Sequence, residues 1–162
     1  HRLGCIQNAF GAILGPQDCW LTLRGLKTLK VRMEESQKSA VKIAAWLDGL
    51  PEVTRVYYPG LASHPGHAIH AGQCSGPGAV LSFEFESYEM TKRVLEGVKF
   101  SAFAVSLGGG ESIISYPAKM SHAAMPPAER ASRGISDTLV RFSVGLEDVD
   151  DLINDLERLI IG

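Results

Sequence analysis

Ser106-Leu107-Gly108-Gly109-Gly110, then Ser112-Ile113-Ile114-Ser115-Tyr116 and, beyond a polar loop, Leu139-Val140-Arg141-Phe142-Ser143-Val144-Gly145 form the stretch from which the rest of the chain is read. Three consecutive glycines after an apolar run allow backbone at positive φ and close approach to a ligand, the properties of a binding wall. The following strand sets one cation, Arg141, between apolar Val140 and Phe142, and period-two alternation turns it to the face opposite theirs. A guanidinium held on a rigid strand can grip a carboxylate through two parallel hydrogen bonds. The same pattern also fits an arginine that is merely solvated on a half-buried strand, and the residues alone leave both readings open.

Outward from that stretch, the pattern on the C-terminal side is a helix. Val149, Leu152, Ile153, Leu156, Leu159 and Ile160 form an apolar stripe, and Glu147, Asp148, Asp150 and Asp151 crowd its first turn, favourable against the helix dipole. On the N-terminal side, strands are expected over 53–58, 79–85 and 101–105, helices over 88–98 and 126–132. From 17 to 49 apolar residues recur at three- and four-residue steps, which predicts one very long helix, about 45 Å, with a possible bend at Gly25. Residues 1–15 are expected to form a short buried helix or strand. The sum is an α/β chain of layered, α+β type: about four strands, at least partly antiparallel, with helices packed on one face.

Composition narrows the function classes. The chain has 162 residues, 45% hydrophobic and 21% charged, with a formal charge of −2; this is globular material without the basic surface that nucleic acid requires. No apolar run approaches the roughly eighteen residues needed to span a bilayer. Three separated cysteines, Cys5, Cys19 and Cys74, fit reduced cytosolic thiols better than a disulfide set or a zinc site. A chain opening on histidine reads as a piece of a longer polypeptide.

Other constellations are weaker. His64, His67 and His70 recur at steps of three, but Pro65-Gly66 breaks the shared face, so surface or capping roles are expected rather than metal binding. Ser121, His122 and Asp137 can be written as a triad, yet no nucleophile elbow surrounds the serine. The glycine run lacks the spacing of a dinucleotide loop.

Several phrases match one family together: Gln7-Asn8 through Gly15-Pro16-Gln17-Asp18, Arg24-Gly25-Leu26-Lys27-Thr28-Leu29, Tyr57-Tyr58-Pro59-Gly60-Leu61, Ser106-Leu107-Gly108-Gly109, Met120-Ser121-His122-Ala123, and Gly134-Ile135-Ser136-Asp137 with 139–148. In colinear order over essentially the whole chain, they closely resemble the Cys/Met-metabolism (transsulfuration) pyridoxal-phosphate enzymes. The resemblance implies the C-terminal part of a fold-type-I enzyme: 1–16 as the end of a large cofactor domain, 17–49 as a linking helix and 50–162 as the small domain. It implies a pyridoxal 5′-phosphate cofactor bound by the full-length enzyme, an amino-acid substrate, a missing N-terminal cofactor domain as partner, and a cytoplasmic homotetramer.

The resemblance also assigns roles. Arg141 matches the arginine that binds the substrate α-carboxylate, and Ser106 the serine beside it. Val105 stands where members acting at the γ-carbon often carry glutamate, whereas several β-lyases and the methionine γ-lyases have a neutral residue; valine cannot hold a distal ammonium. The run 115–126 looks most like bacterial cystathionine β-lyases, which implies α,β-elimination of cystathionine to homocysteine, pyruvate and ammonia. Cystathionine γ-synthase, cystathionine γ-lyase and methionine γ-lyase activities are the alternatives, and a non-catalytic oligomerisation module is the alternative of another class. The family's Schiff-base lysine lies upstream of this sequence, and none of Lys27, Lys30, Lys38, Lys42, Lys92, Lys99 or Lys119 stands in the matching motif. The chain alone is therefore expected to be inert.

Overall fold

The computed structural model describes residues 2–162 and divides them into two compact units that meet between Arg32 and Met33. The first contains α1 (Arg2–Phe10), α2 (Pro16–Leu26) and the start of α3 (Leu29–Asp48). Pro16 opens α2, where a missing N–H costs nothing. The periodicity of 17–49 predicts one helix, but the structure interrupts it at Lys27 and Thr28. The break is local chemistry: the carbonyl of Gly25 accepts from both the N–H and the hydroxyl of Thr28, each at 3.4 Å, and from Arg32 Nη2 at 3.0 Å. Threonine thereby offers the backbone an alternative to the helical ladder, so the chain restarts after Thr28 and not at Gly25. The expected burial of 1–15 is also corrected, since no residue of α1 is buried and Leu3 and Phe10 are more than four-fifths exposed.

The second unit is a five-stranded sheet under helices. Its strands are β1 (Val53–Tyr57), β2 (Val80–Phe85), β3 (Ala102–Phe103), β4 (Ile113–Ser115) and β5 (Leu139–Ser143), in the order β1-β2-β5-β4-β3. All neighbours are antiparallel except β3 and β4. The strand expected over 101–105 shrinks to two residues, because Val105 and Ser106 leave the sheet to enter the glycine turn. Between strands lie α4 (His67–Gln73), α5 (Tyr88–Gly97), a 3₁₀ turn at Pro117–Lys119 and α6 (Pro127–Ser132); α7 (Val149–Ile160) closes the chain.

One core joins these elements. Leu81, Phe83 and Phe85 of β2, Val140 and Phe142 of β5 and Ile114 of β4 meet Ile43, Ala44 and Leu47 of α3, Val94 of α5, and Leu152, Leu156 and Ile160 of α7, all at 2% exposure or less. Strict alternation in β2 puts Leu81, Phe83 and Phe85 inward and leaves Val80, Ser82 and Glu84 half-buried on the other face. Ser87 caps α5 by accepting from the N–H of Met90, and Asp148 caps α7 by accepting from Asp150 and Asp151. No helix among the described residues is long and apolar enough to cross a membrane.

Candidate functional site

β5 is the central strand of its sheet, and it carries the cation. Val140 and Phe142 are fully buried on the helix-covered face, while Arg141 between them is only partly buried on the opposite one. Its cross-strand neighbours are Ser82 on β2 and Ser115 on β4. Two small hydroxyl residues leave room for the long side chain and offer no countercharge. Among the described residues no carboxylate pairs with Arg141. Its Nη2 donates to the main-chain oxygen of Ser106 at 2.8 Å, and its Nε is buried without a partner. A guanidinium with a buried, unused N–H is completed by an anion with two acceptor oxygens.

The wall opposite is the glycine turn. Ser106 holds φ at +112°, and Gly108 lies at +77°. A non-glycine residue at such a φ stores strain, which marks a position fixed by its surroundings. Ser106 is exposed, and Val105 and Leu107 are 63% and 52% exposed, so this wall presents backbone, a hydroxyl and apolar side chains. Arg141 and Ser106 are directly bonded, and Val105 precedes Ser106 in the chain.

Four bonds that the residue pattern did not reveal hold the turn. Gly108 N–H donates to Ser143 Oγ at 2.9 Å. At the other end Ser112 gives its N–H to Glu147 Oε1 at 2.8 Å and its hydroxyl to Oε2 at 2.6 Å, while its Oγ accepts from the N–H of Gly145 at 2.9 Å. Gly145 must be glycine: a Cβ there would lie 2.5 Å from backbone atoms of Gly110, Glu111 and Ser112. Glu147 is therefore not the helix-dipole residue its place in an acidic run suggests. It precedes the Asp148 cap and reaches across to Ser112, a contact of sequence separation 35.

The remaining candidates resolve as structural. His64 Nδ1 accepts from Gly66, His67 Nδ1 bonds to the carbonyl of Pro59, and His70 Nε2 to that of Gly76. All three stitch one loop, and no metal-binding cluster occurs among the described residues. Ser121 and His122 share a 2.8 Å bond, but the Asp137 carboxylate is paired with Arg130 and completes no triad. Cys5, Cys19 and Cys74 are free and exposed. A separate open cleft of about 690 Å³ lies against Tyr88, Tyr116, Lys119 and Arg130. There the Lys119 ammonium sits 4.8 Å from the Tyr88 ring centre and bonds to the Tyr88 hydroxyl.

Comparison with known proteins identifies the frame in which this site sits. The family model described as Cys/Met metabolism PLP-dependent enzyme matches residues 1–160. The chain belongs to that family. A cystathionine beta-lyase of Bacillus subtilis is 59% identical over 155 residues, 96% of this chain and 40% of the relative. A cystathionine gamma-lyase of Dictyostelium discoideum is 49% identical over 98% of this chain and 41% of its own length. Among solved structures, cystathionine gamma synthase from Xanthomonas oryzae in complex with cystathionine superposes with a TM-score of 0.90 at 48% identity, over 95% of this chain and 40% of that one. Cystathionine gamma-lyase from Lactobacillus plantarum complexed with L-serine gives 0.92 at 44%, over 98% and 42%. This chain spans about 40% of the length of the relatives it matches. Pyridoxal phosphate is the cofactor of the family.

Proposed function

We propose that this chain supplies the substrate-carboxylate side of the active site of a pyridoxal-phosphate carbon–sulfur lyase of the cystathionine β-lyase type. The observation that carries this is Arg141: a guanidinium on a central strand, without a carboxylate partner among the described residues, one N–H buried and unused, beside a turn fixed at strained geometry. An α-carboxylate accepting two parallel N–H bonds satisfies that orphan donor and fixes the amino acid's orientation. The Ser106 hydroxyl stands at the same wall as a further donor to the substrate.

The residues present fit an anionic substrate, and they do not supply a covalent anchor for the cofactor. Neither β5 nor the turn carries a lysine, and Lys119 is engaged with Tyr88 in the separate cleft. When bound, pyridoxal phosphate supplies the electron sink for breaking the bond to the α-hydrogen. What this chain's residues contribute is binding and orientation. In this reading 1–16 close a cofactor domain, 17–49 link it to the small domain of 50–162, and the chain alone is inert because the amine holding the cofactor lies on another segment.

The β-lyase type rests on Val105, which separates it from members with glutamate at that place, and on the run 115–126, whose likeness to bacterial cystathionine β-lyases separates it from the methionine γ-lyases. The Val105 side chain is 63% exposed at the binding wall and apolar, so it holds no distal ammonium in place for chemistry at the γ-carbon. The 59% identity to one β-lyase supports the same choice, while other β-lyases, at 46–49%, stand level with the γ-lyases at 46–49%. Assembly as a cytoplasmic homotetramer is part of the proposal; the exposed Leu3, Ile6, Phe10, Ile13 and Leu14 supply apolar surface for it.

Incubation of the longer protein with cystathionine and pyridoxal phosphate, with the keto acid identified by mass, tests the reading. Pyruvate with homocysteine is expected; 2-oxobutyrate with cysteine would replace it by γ-lyase activity, and no keto acid would remove the lyase assignment.

A further inference from the structure

Among the described residues, the turn that carries Ser106 buries no large apolar side chain of its own. Val105 and Leu107 are more than half exposed, Ser106 and Glu111 are exposed, and Gly108, Gly109 and Gly110 have no side chains. Its position rests on polar bonds to one short piece of chain, the run that follows Arg141 on β5 and continues to Glu147. Gly108 is held by Ser143, the Gly110 oxygen accepts from Leu146 N–H at 2.8 Å, and Ser112 is held by Glu147 through both carboxylate oxygens. Ser112 is fully buried, and its hydroxyl passes the restraint on to Gly145.

We infer that Glu147 is a positioning residue: through Ser112 it fixes the turn so that the Ser106 carbonyl stays on Arg141 and the guanidinium is aimed for a carboxylate. This rests on the reading of Arg141 given above. The chemistry suits the role. Glu147 accepts two bonds from one residue, one from an N–H and one from a hydroxyl, and charge-assisted bonds of this kind are the stronger ones. The Gly145 contact allows no slack, since neighbouring backbone fills the place of a Cβ. A loop without buried side chains follows its polar anchors, and a carboxylate grip misplaced by about an ångström loses up to a hundredfold. A glutamine at 147 keeps the shape but replaces one acceptor oxygen by an NH2 donor, which cannot accept from Ser112.

The test is a double-mutant cycle in the longer, cofactor-loaded protein, with steady-state kinetics on cystathionine for Glu147→Gln, Arg141→Ala and the pair. Glu147→Gln should raise KM about tenfold with kcat changed less than threefold, and in the Arg141→Ala background it should change KM by less than twofold. Where Glu147→Gln does not fold, Ser112→Ala, which removes only the hydroxyl bonds, takes its place with the same expectations. Equal KM effects in both backgrounds would reduce Glu147 to a stabilising contact and overturn the inference. So would a normal KM for Glu147→Gln alongside a raised one for Arg141→Ala. A normal KM for Arg141→Ala overturns the carboxylate-site reading itself and the inference with it, and is distinguished by the variant in which it appears.

Discussion

Arg141 and Ser106, thirty-five residues apart, are joined by one bond of 2.8 Å from the guanidinium to a main-chain oxygen, on a residue whose φ is +112°. The bond uses one N–H of the guanidinium and leaves Nε buried and unpartnered. It therefore aligns the cation without neutralising it, as capture of an anion requires.

Replacing Arg141 by alanine in the longer protein should lower kcat/KM for cystathionine by at least about 100-fold, the scale of a lost bidentate charged contact. Arg141→Lys should recover only part of this, because an ammonium keeps the charge and loses the planar fork. Equal activity of the lysine variant and the wild type would show that charge alone suffices.

The strain at Ser106 gives a second expectation. Ser106→Gly removes the side-chain cost of positive φ, on the order of 1 kcal/mol, and glycine's extra unfolded-state entropy offsets part of it. Calorimetry should show the Tm unchanged or a degree or two higher, even though the variant binds substrate more weakly for lack of the hydroxyl. A fall of several degrees would mean that the hydroxyl stabilises the turn.

Asp155, 6% exposed, makes stability depend on pH in acid. Burial pushes its carboxyl pKa up, but the N–H groups of Lys99 and Phe100 and the Arg158 guanidinium outweigh burial and hold it below the ordinary value. A carboxylate depressed in the folded state contributes stability that is full above the unfolded pKa, near 3.8, and is lost as pH falls through the lower folded value. Asp155→Asn should cost about 1–3 kcal/mol at neutral pH, and its stability should fall less steeply than the wild type's below about pH 4. Denaturant titration at several pH values measures both; parallel acid limbs would deny Asp155 this role.

At the alkaline end the relevant group is Tyr58, whose hydroxyl donates to the Gly78 oxygen at 2.8 Å and whose pKa burial pushes up to about 12. The unfolded phenol ionises near 10, so this contribution to stability is full below pH 10 and disappears between about 10 and 12. Absorbance of the phenolate should show one tyrosine titrating near 12 in the folded protein, and Tyr58→Phe should soften the alkaline loss of stability. All tyrosines titrating together near 10 would contradict the buried bond.

The sequence by itself determined much of this protein. Period-two alternation in 79–85 and 139–144 and the apolar stripe of 149–160 are local patterns tied to burial, so the strands, the closing helix and the outward face of Arg141 were legible. So was the family, because its phrases occur in order. The break at Thr28 is local, a hydroxyl three residues from Gly25 competing with the helical ladder that the apolar periodicity alone reports. Only the tertiary structure decided what depends on distant partners: the bond from Arg141 to Ser106 and the clamp from Glu147 to Ser112. Glu147 sits in an acidic run that reads as a helix start, and nothing in its neighbours points to a residue thirty-five positions earlier. A periodic pattern reports which face is buried; it cannot report which polar group meets which, because that pairing exists only once β4 and β5 lie side by side.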